Sequence, residues 1–144
     1  MTIRQAKKED LINLVSIRER IHSLKDEDLK LYLKDKNRIL LVIEENDKPI
    51  GFACFIKEYD VAELDYIAIS KEEEGKGYAT KLLLEAEKEL KNTGVMTIFL
   101  EVRASNSRAI NTYEKNGYTV YRTRKNYYLN PIEDAICYRK DTAI

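Results

Sequence analysis

IAISKEEEGKGYATKLL (residues 67–83) passes from an apolar run, through an acid-rich turn with two glycines, into a segment with helical spacing of apolar residues. Read physically, it is a strand, a tight turn and a helix start. The first turn of a helix carries backbone N–H groups with no partner inside the helix, and the macrodipole adds partial positive charge there. Gly75 and Gly77 let the main chain adopt positive φ and come close to an anion. Such a place holds phosphate with backbone atoms alone. The spacing matches neither a Walker A loop, which needs a Lys-Ser/Thr pair, nor a dinucleotide fingerprint, which needs more glycines. A plain strand-to-helix turn tightened by glycines explains the same residues equally well. Glu72, Glu73 and Glu74 stand directly before the turn, with the wrong charge for an anion site.

Upstream of this stretch, ILLVIEE (39–45) and PIGFACFIKEY (49–59) flank Asn46-Asp47-Lys48, a hairpin signal. VAELDYIAIS (61–70) follows by another tight turn, so three antiparallel neighbours are expected. Nearer the N-terminus, residues 2–6 read as a strand. Residues 8–24 read as one helix with Leu11, Ile12, Leu14, Val15, Ile17 and Ile21 on its apolar face. Residues 26–33 read as a shorter helix with Leu29, Leu31, Tyr32 and Leu33. Downstream, residues 77–91 form a helix with Ala79, Leu82, Leu83, Ala86 and Leu90 inward, stopped by Asn92-Thr93-Gly94. VMTIFLEV (95–102) is a strand. Residues 106–115 are a helix with Ala109, Ile110 and Tyr113 inward. YTVYRTR (118–124) and AICYRK (135–140) are two more strands. The order β-α-α-β-β-β-α-β-α-β-β predicts an α/β (α+β) domain over residues 1–144, a mixed sheet with helices on its faces.

Bulk properties narrow the function. Lys+Arg and Asp+Glu balance at 25 each, so nothing marks the chain as a nucleic-acid binder. The N-terminal MTIRQAKKEDLINLV has charges where a signal peptide needs an apolar run. No segment approaches the ~20 apolar residues of a membrane span. A cytoplasmic protein with no membrane partner is expected. Cys54 and Cys137 lie far apart in strand-like surroundings and read as small core residues. The single histidine, His22, excludes a multi-histidine metal site, and no metal is expected.

Two further residues carry chemistry. Strand alternation places Phe99 and Glu101 on one face of the 95–102 strand, and Ile98, Leu100 and Val102 on the other. A carboxylate in the middle of a covered strand needs a reason. Partial burial would suit Glu101 to work as a general base. Tyr113 is placed to serve as a general acid. Composition alone favours blander readings: an edge-strand surface residue for Glu101, and core packing for Tyr113.

Taken together, IAISKEEEGKGYATKLL and LEVRASNSRAINTYEKNGY (100–118) resemble the GCN5-related N-acetyltransferase (GNAT) superfamily. LEVRASN, Tyr-Glu-Lys-Asn-Gly (113–117), KNYY (125–128) and EDA (133–135) resemble, more closely, its ribosomal-protein alanine N-acetyltransferase (RimI) type. The resemblance covers the whole chain loosely and residues 61–140 closely. It implies the GNAT fold, a mostly antiparallel sheet of about seven strands splayed between the fourth and fifth, and acetyl-CoA as donor. It implies that Ile67, Ala68 and Ile69 pair with the pantetheine arm. The family loop, Gln/Arg-x-x-Gly-x-Gly/Ala, falls on Glu74 to Ala79. Backbone groups of Gly75, Lys76, Gly77, Tyr78, Ala79 and Thr80 are thereby implied to hold the pyrophosphate, and Asn106 to touch the CoA arm. The resemblance makes Glu101 the general base and Tyr113 the general acid, with Tyr127 and Tyr128 lining the acceptor side. A core-contacting aromatic pair is the alternative for those two.

The match has two departures. Glu74 replaces a Gln or Arg, which should weaken CoA binding, with Lys76 offsetting the charge and Glu72 and Glu73 pointing into water. Glu74→Arg is accordingly expected to lower the Michaelis constant for acetyl-CoA. RERIHSLKDEDLK (18–30) replaces an aromatic-proline-tryptophan-serine stretch, so the acceptor pocket is expected to differ. His22 lies in this segment, where a lone exposed histidine is the simpler reading. The implied activity is N-terminal α-amine acetylation of a protein, with a ribosomal protein as one candidate acceptor, by direct transfer in a ternary complex. The alternatives are a small-molecule amine or lysine acceptor, and a non-catalytic CoA-binding module. Either a monomer or a homodimer fits.

Overall fold

Seven strands form one sheet in the order β1-β2-β3-β4-β5-β7-β6 in the computed structural model, which describes residues 1–21 and 24–142. The strands are β1 (Thr2–Gln5), β2 (Arg38–Glu45), β3 (Lys48–Glu58), β4 (Val61–Ile69), β5 (Thr97–Arg103), β6 (Thr119–Tyr128) and β7 (Glu133–Asp141). All neighbours are antiparallel except β4 and β5. The helices are α1 (Leu11–Ile17), α2 (Asp26–Tyr32), α3 (Tyr78–Asn92) and α4 (Ser107–Lys115). The β2–β3 turn runs through Asn46 and Asp47 at φ 53° and 64°. Asn and Asp tolerate this left-handed conformation, which the tight hairpin turn requires.

Strand alternation sorts the apolar residues onto two faces. Leu41, Ile43, Phe55, Leu64, Ile98 and Leu100 pack beneath α3 and α4, against Leu82, Leu83, Ala86, Leu90 and Tyr113. Leu40, Val42, Phe52 and Cys54 pack on the other face with Leu14, Ile17, Leu24 and Leu29 from the N-terminal helices. Cys54 and Cys137 are both buried free thiols.

One helix departs from the sequence reading. Residues 8–24 do not form a continuous helix. A 3₁₀ turn (Lys8–Asp10) leads into α1, a second (Arg18–Arg20) ends it, and Ile21 is extended. Asp10 is buried and takes a 2.6 Å hydrogen bond from the Lys7 N–H and two more, at 2.8 and 2.9 Å, from Arg4 on β1. That anchor favours a local turn over the start of a long helix. Ile12 is 81% exposed, and Leu31 of α2 is likewise exposed, so neither belongs to the apolar face assigned to it.

The join between β4 and β5 positions everything that follows. Their parallel ladder runs from Val61↔Thr97 to Leu64↔Leu100 and stops. β4 continues to Ile69 paired only with β3, through Ala53↔Ile67, Phe52↔Ala68 and Gly51↔Ile69. β5 continues to Arg103 paired with β7. The sheet is therefore splayed between its fourth and fifth strands. Gly51 makes room for the end of β4: a Cβ there would lie 2.5 Å from Ile69 Cδ1 and 3.0 Å from the Ala68 carbonyl.

Candidate active site

The splay opens into a groove of about 420 Å³ between the end of β4, the start of α3 and α4. Ile67, Ala68 and Ile69 form one wall, with the β4 edge facing away from β3 free of strand pairing beyond Leu64. Gly75, Gly77, Tyr78, Ala79 and Thr80 form the end, and Asn106 and Tyr113 the opposite wall. Gly75 and Gly77 have φ of 79° and 83°, in the left-handed region that favours glycine. Gly77 is the N-cap of α3 and supplies no side-chain cap, and no acidic residue occupies the helix's first turn. The open N–H groups of that turn, at the positive end of a 15-residue helix, are left for a ligand.

Side chains around the groove have defined partners. Asn106 N-caps α4, its Oδ1 accepting from the Ala109 N–H at 3.2 Å. The Tyr78 hydroxyl donates to Glu45 at 3.1 Å, and Thr80 Oγ1 accepts from Asn116 Nδ2 at 3.3 Å. Lys76 does not wall the groove. Its ammonium pairs with Glu73 at 2.8 Å. Glu73 lines the groove rather than pointing into water, whereas Glu72 is exposed. Glu74 pairs with Arg108, the second residue of α4, at 2.6 Å.

Tyr113 is buried against Tyr118 and Tyr138, at ring-centroid distances of 5.8 and 6.3 Å. Those two hydroxyls are engaged by Glu87 and Glu114. Tyr113 has no hydrogen-bond partner among the described residues and faces the groove. Burial, with a smaller push from Tyr128, raises its pKa to about 12.

Glu101 lies across β5 from this wall. Leu100 and Val102 turn into the core beneath α3 and α4, and Glu101 is half-buried on the opposite face. It does not line the groove itself. Its Oε1 is 3.0 Å from Arg124 Nε on β6 and accepts from the Cys137 thiol at 3.8 Å on β7. Arg124 Nε is buried and makes no aligned hydrogen bond, so the contact is ionic. The Arg124 guanidinium sits 5.4 Å from the Tyr127 ring centre, and Tyr127 meets Tyr128 edge to face at 5.2 Å. Burial raises the Tyr128 pKa to about 12, with Glu101 and then Tyr127 adding to it. The Tyr127 phenol is raised first by the Glu101 carboxylate and then by burial.

The segment between β6 and β7 is tied to the end of β5. Arg103 donates to the Leu129 and Pro131 carbonyls at 3.2 and 3.1 Å, and its guanidinium lies 4.5 Å from the Tyr128 ring centre. Glu133 accepts from the Ser105 N–H and from Arg103. Asp134 accepts from the Asn126 N–H at 2.9 Å. The EDA segment therefore holds Tyr127 and Tyr128 in place.

Three residues escaped the sequence reading. Arg124 and Glu63 stand near Glu101 only because of cross-strand register. Burial raises the Glu63 pKa, helped by Asp65 and Glu101. Arg108 left a signal, since a cation in a helix's first turn opposes the helix dipole. His22 lies outside the described residues. Among those residues no group of three metal-ligating side chains occurs, and no helix is long and apolar enough to cross a membrane.

Residues 6–118 match the acetyltransferase (GNAT) family. The chain is 43% identical over 91 residues to the ribosomal protein bS18-alanine N-acetyltransferase of Haemophilus influenzae, a stretch spanning 63% of this chain and 62% of that protein, just under two thirds of its length. It is 33% identical over 138 residues to the Escherichia coli protein of the same name, covering 94% and 93% of the two chains. The crystal structure of the ribosomal-protein-S18-alanine N-acetyltransferase from Escherichia coli superposes with a TM-score of 0.90 at 30% identity, over 99% of this chain and 94% of that one.

Proposed function

Because the chain belongs to the acetyltransferase (GNAT) family, we propose that it transfers acetyl from acetyl-CoA to the N-terminal α-amine of a protein in the cytoplasm, with a ribosomal-protein terminus as acceptor. One observation carries the reading: the β4–β5 ladder stops at Leu64↔Leu100, just before the groove wall at Ile67–Ile69 on one strand and Glu101 on the other. The free edge of β4 suits a pantetheine arm lying as an extra strand. The open N–H groups from Gly75 to Thr80 suit the pyrophosphate. The thioester then lies in the splay, between Tyr113 on the groove side and Glu101 on the other.

An α-amine with a pKa of about 7.7–8 is partly neutral near pH 7, whereas a lysine near 10.4 is almost wholly charged. One carboxylate is enough help for the former. Glu101, directly or through water, takes the proton as the amine nitrogen attacks the thioester carbon. The carbonyl oxygen is stabilised by backbone N–H groups at the splay. The C–S bond then breaks, and the proton lost from nitrogen is balanced by one gained at sulfur. With its pKa near 12, Tyr113 is protonated at every working pH and presents a hydrogen to the departing sulfur. A thiol titrates near 8.5, so the sulfur is a good leaving group once that hydrogen bond forms. Neither buried thiol is required as a nucleophile.

The test is acetyl-CoA binding followed by intact-mass analysis of Ala-, Ser- and Met-starting peptides. Acetyl on the peptide α-amine supports the reading. Turnover only on lysine or polyamines, or binding without turnover, replaces it.

A further inference from the structure

An acid at position 74 is out of place before an anion-binding turn, and its ion pair with Arg108 bears on why it is there. Arg108 reaches from the first turn of α4, with Nη1 2.6 Å from Glu74 Oε2. A cation there gains nothing from the helix, whose dipole opposes it. Its guanidinium instead lies over the glycine turn: a Cβ built on Gly75 would meet Arg108 Nη2 at 3.4 Å. Both residues line the groove, and Lys76, a cation within the loop, is paired with Glu73. The Arg108 side chain is 64% exposed, and an ion pair so exposed contributes little. An arginine facing a phosphate makes shorter, charge-assisted and often paired hydrogen bonds. Arg108 is therefore placed to exchange the carboxylate for a phosphate oxygen.

We propose that Arg108 is a donor-binding residue that clasps the diphosphate of acetyl-CoA, and that Glu74 holds it over the loop while the groove is empty. On arrival of the ligand the guanidinium passes from the Glu74 carboxylate to a diphosphate oxygen. The backbone turn and Arg108 then grip the diphosphate from two sides. This rests on reading the groove as the acetyl-CoA site. It goes further by naming a side chain, outside the loop, that reads the phosphate charge.

The experiment measures binding of acetyl-CoA and of acetyl-dephospho-CoA, which lacks only the 3′-phosphate, to the wild-type chain, Arg108→Met and Arg108→Lys. Arg108→Met should weaken acetyl-CoA roughly tenfold, about what loss of one such contact brings, with Arg108→Lys in between. The same factor should appear for the dephospho ligand, because the diphosphate is present in both. In steady-state assays the loss should fall on the Michaelis constant for the donor far more than on kcat. Unchanged melting temperatures confirm that the variants fold, as expected for an exposed side chain. Arg108→Met binding as tightly as wild type overturns the proposal. So does a loss that vanishes with the dephospho ligand, which would move the contact to the 3′-phosphate. A wild-type chain that binds neither ligand removes the acetyl-CoA reading itself, a result distinct from a normal wild type with an indifferent variant.

Discussion

Glu101 and Tyr113 approach the splay from opposite faces of β5, so their substitutions should separate chemistry from donor binding. Glu101→Gln keeps the shape and removes the proton acceptor. We expect kcat to fall about 10²-fold or more while acetyl-CoA affinity in a binding assay stays close to wild type. Tyr113→Phe removes only the hydroxyl. It should lower kcat by roughly ten- to a hundredfold, and a thiol-release assay at saturating donor would show it. Glu101 was legible in the sequence because alternation along IFLEV leaves a carboxylate opposite two core residues. Arg124 and Glu63 were not, and Arg108 showed only as a cation in a helix's first turn. Each acts through a partner on another element, and no spacing within one element reports that.

At the scale of elements, the last turn of β4 depends on the missing side chain at Gly51. An alanine there meets Ile69 Cδ1 and the Ala68 carbonyl. The carbonyl cannot yield without moving the wall of the groove. Gly51→Ala should cost about 1–3 kcal/mol of stability and raise the Michaelis constant for acetyl-CoA, checked by urea unfolding and donor titration. Strand and helix order was readable throughout, because the change from alternating to helical periodicity at residue 77 is sharp. The N-terminal helix was misread for a local reason. Its periodicity counted Ile12 inward and overlooked Asp10, whose carboxylate serves the Lys7 N–H and Arg4. The splay was legible only through family resemblance. Nothing in ELDYIAI itself says that pairing with β5 ends at Leu64.

Across the whole molecule, titration sets the limits of stability. Burial lifts the Tyr113 pKa to about 12, and burial with Glu87 lifts Tyr118 further. An exposed phenol titrates near 10. Each tyrosine's contribution is complete below about pH 10 and falls above it by about 1.4 kcal/mol per pH unit, until its folded-state value is reached. The Arg4 guanidinium holds Asp10 below the usual carboxylate range. That contribution is present above about pH 4 and lost as the pH falls. Urea midpoints should therefore form a plateau between these limits and decline on both sides. Four paired positions, Val61↔Thr97 to Leu64↔Leu100, make up the ladder between β4 and β5. A thioester carrier lying along the open edge would be the seam between them. Those amides of residues 65–69 and 101–103 that point into the splay, away from β3 and β7, should then exchange with deuterium quickly in the empty protein and slowly when it is loaded. The melting temperature should climb with carrier concentration, by the equivalent of about 2.7 kcal/mol at a hundred times Kd. A cell short of acetyl-CoA would thus hold this enzyme in a looser state, more readily cut by proteases.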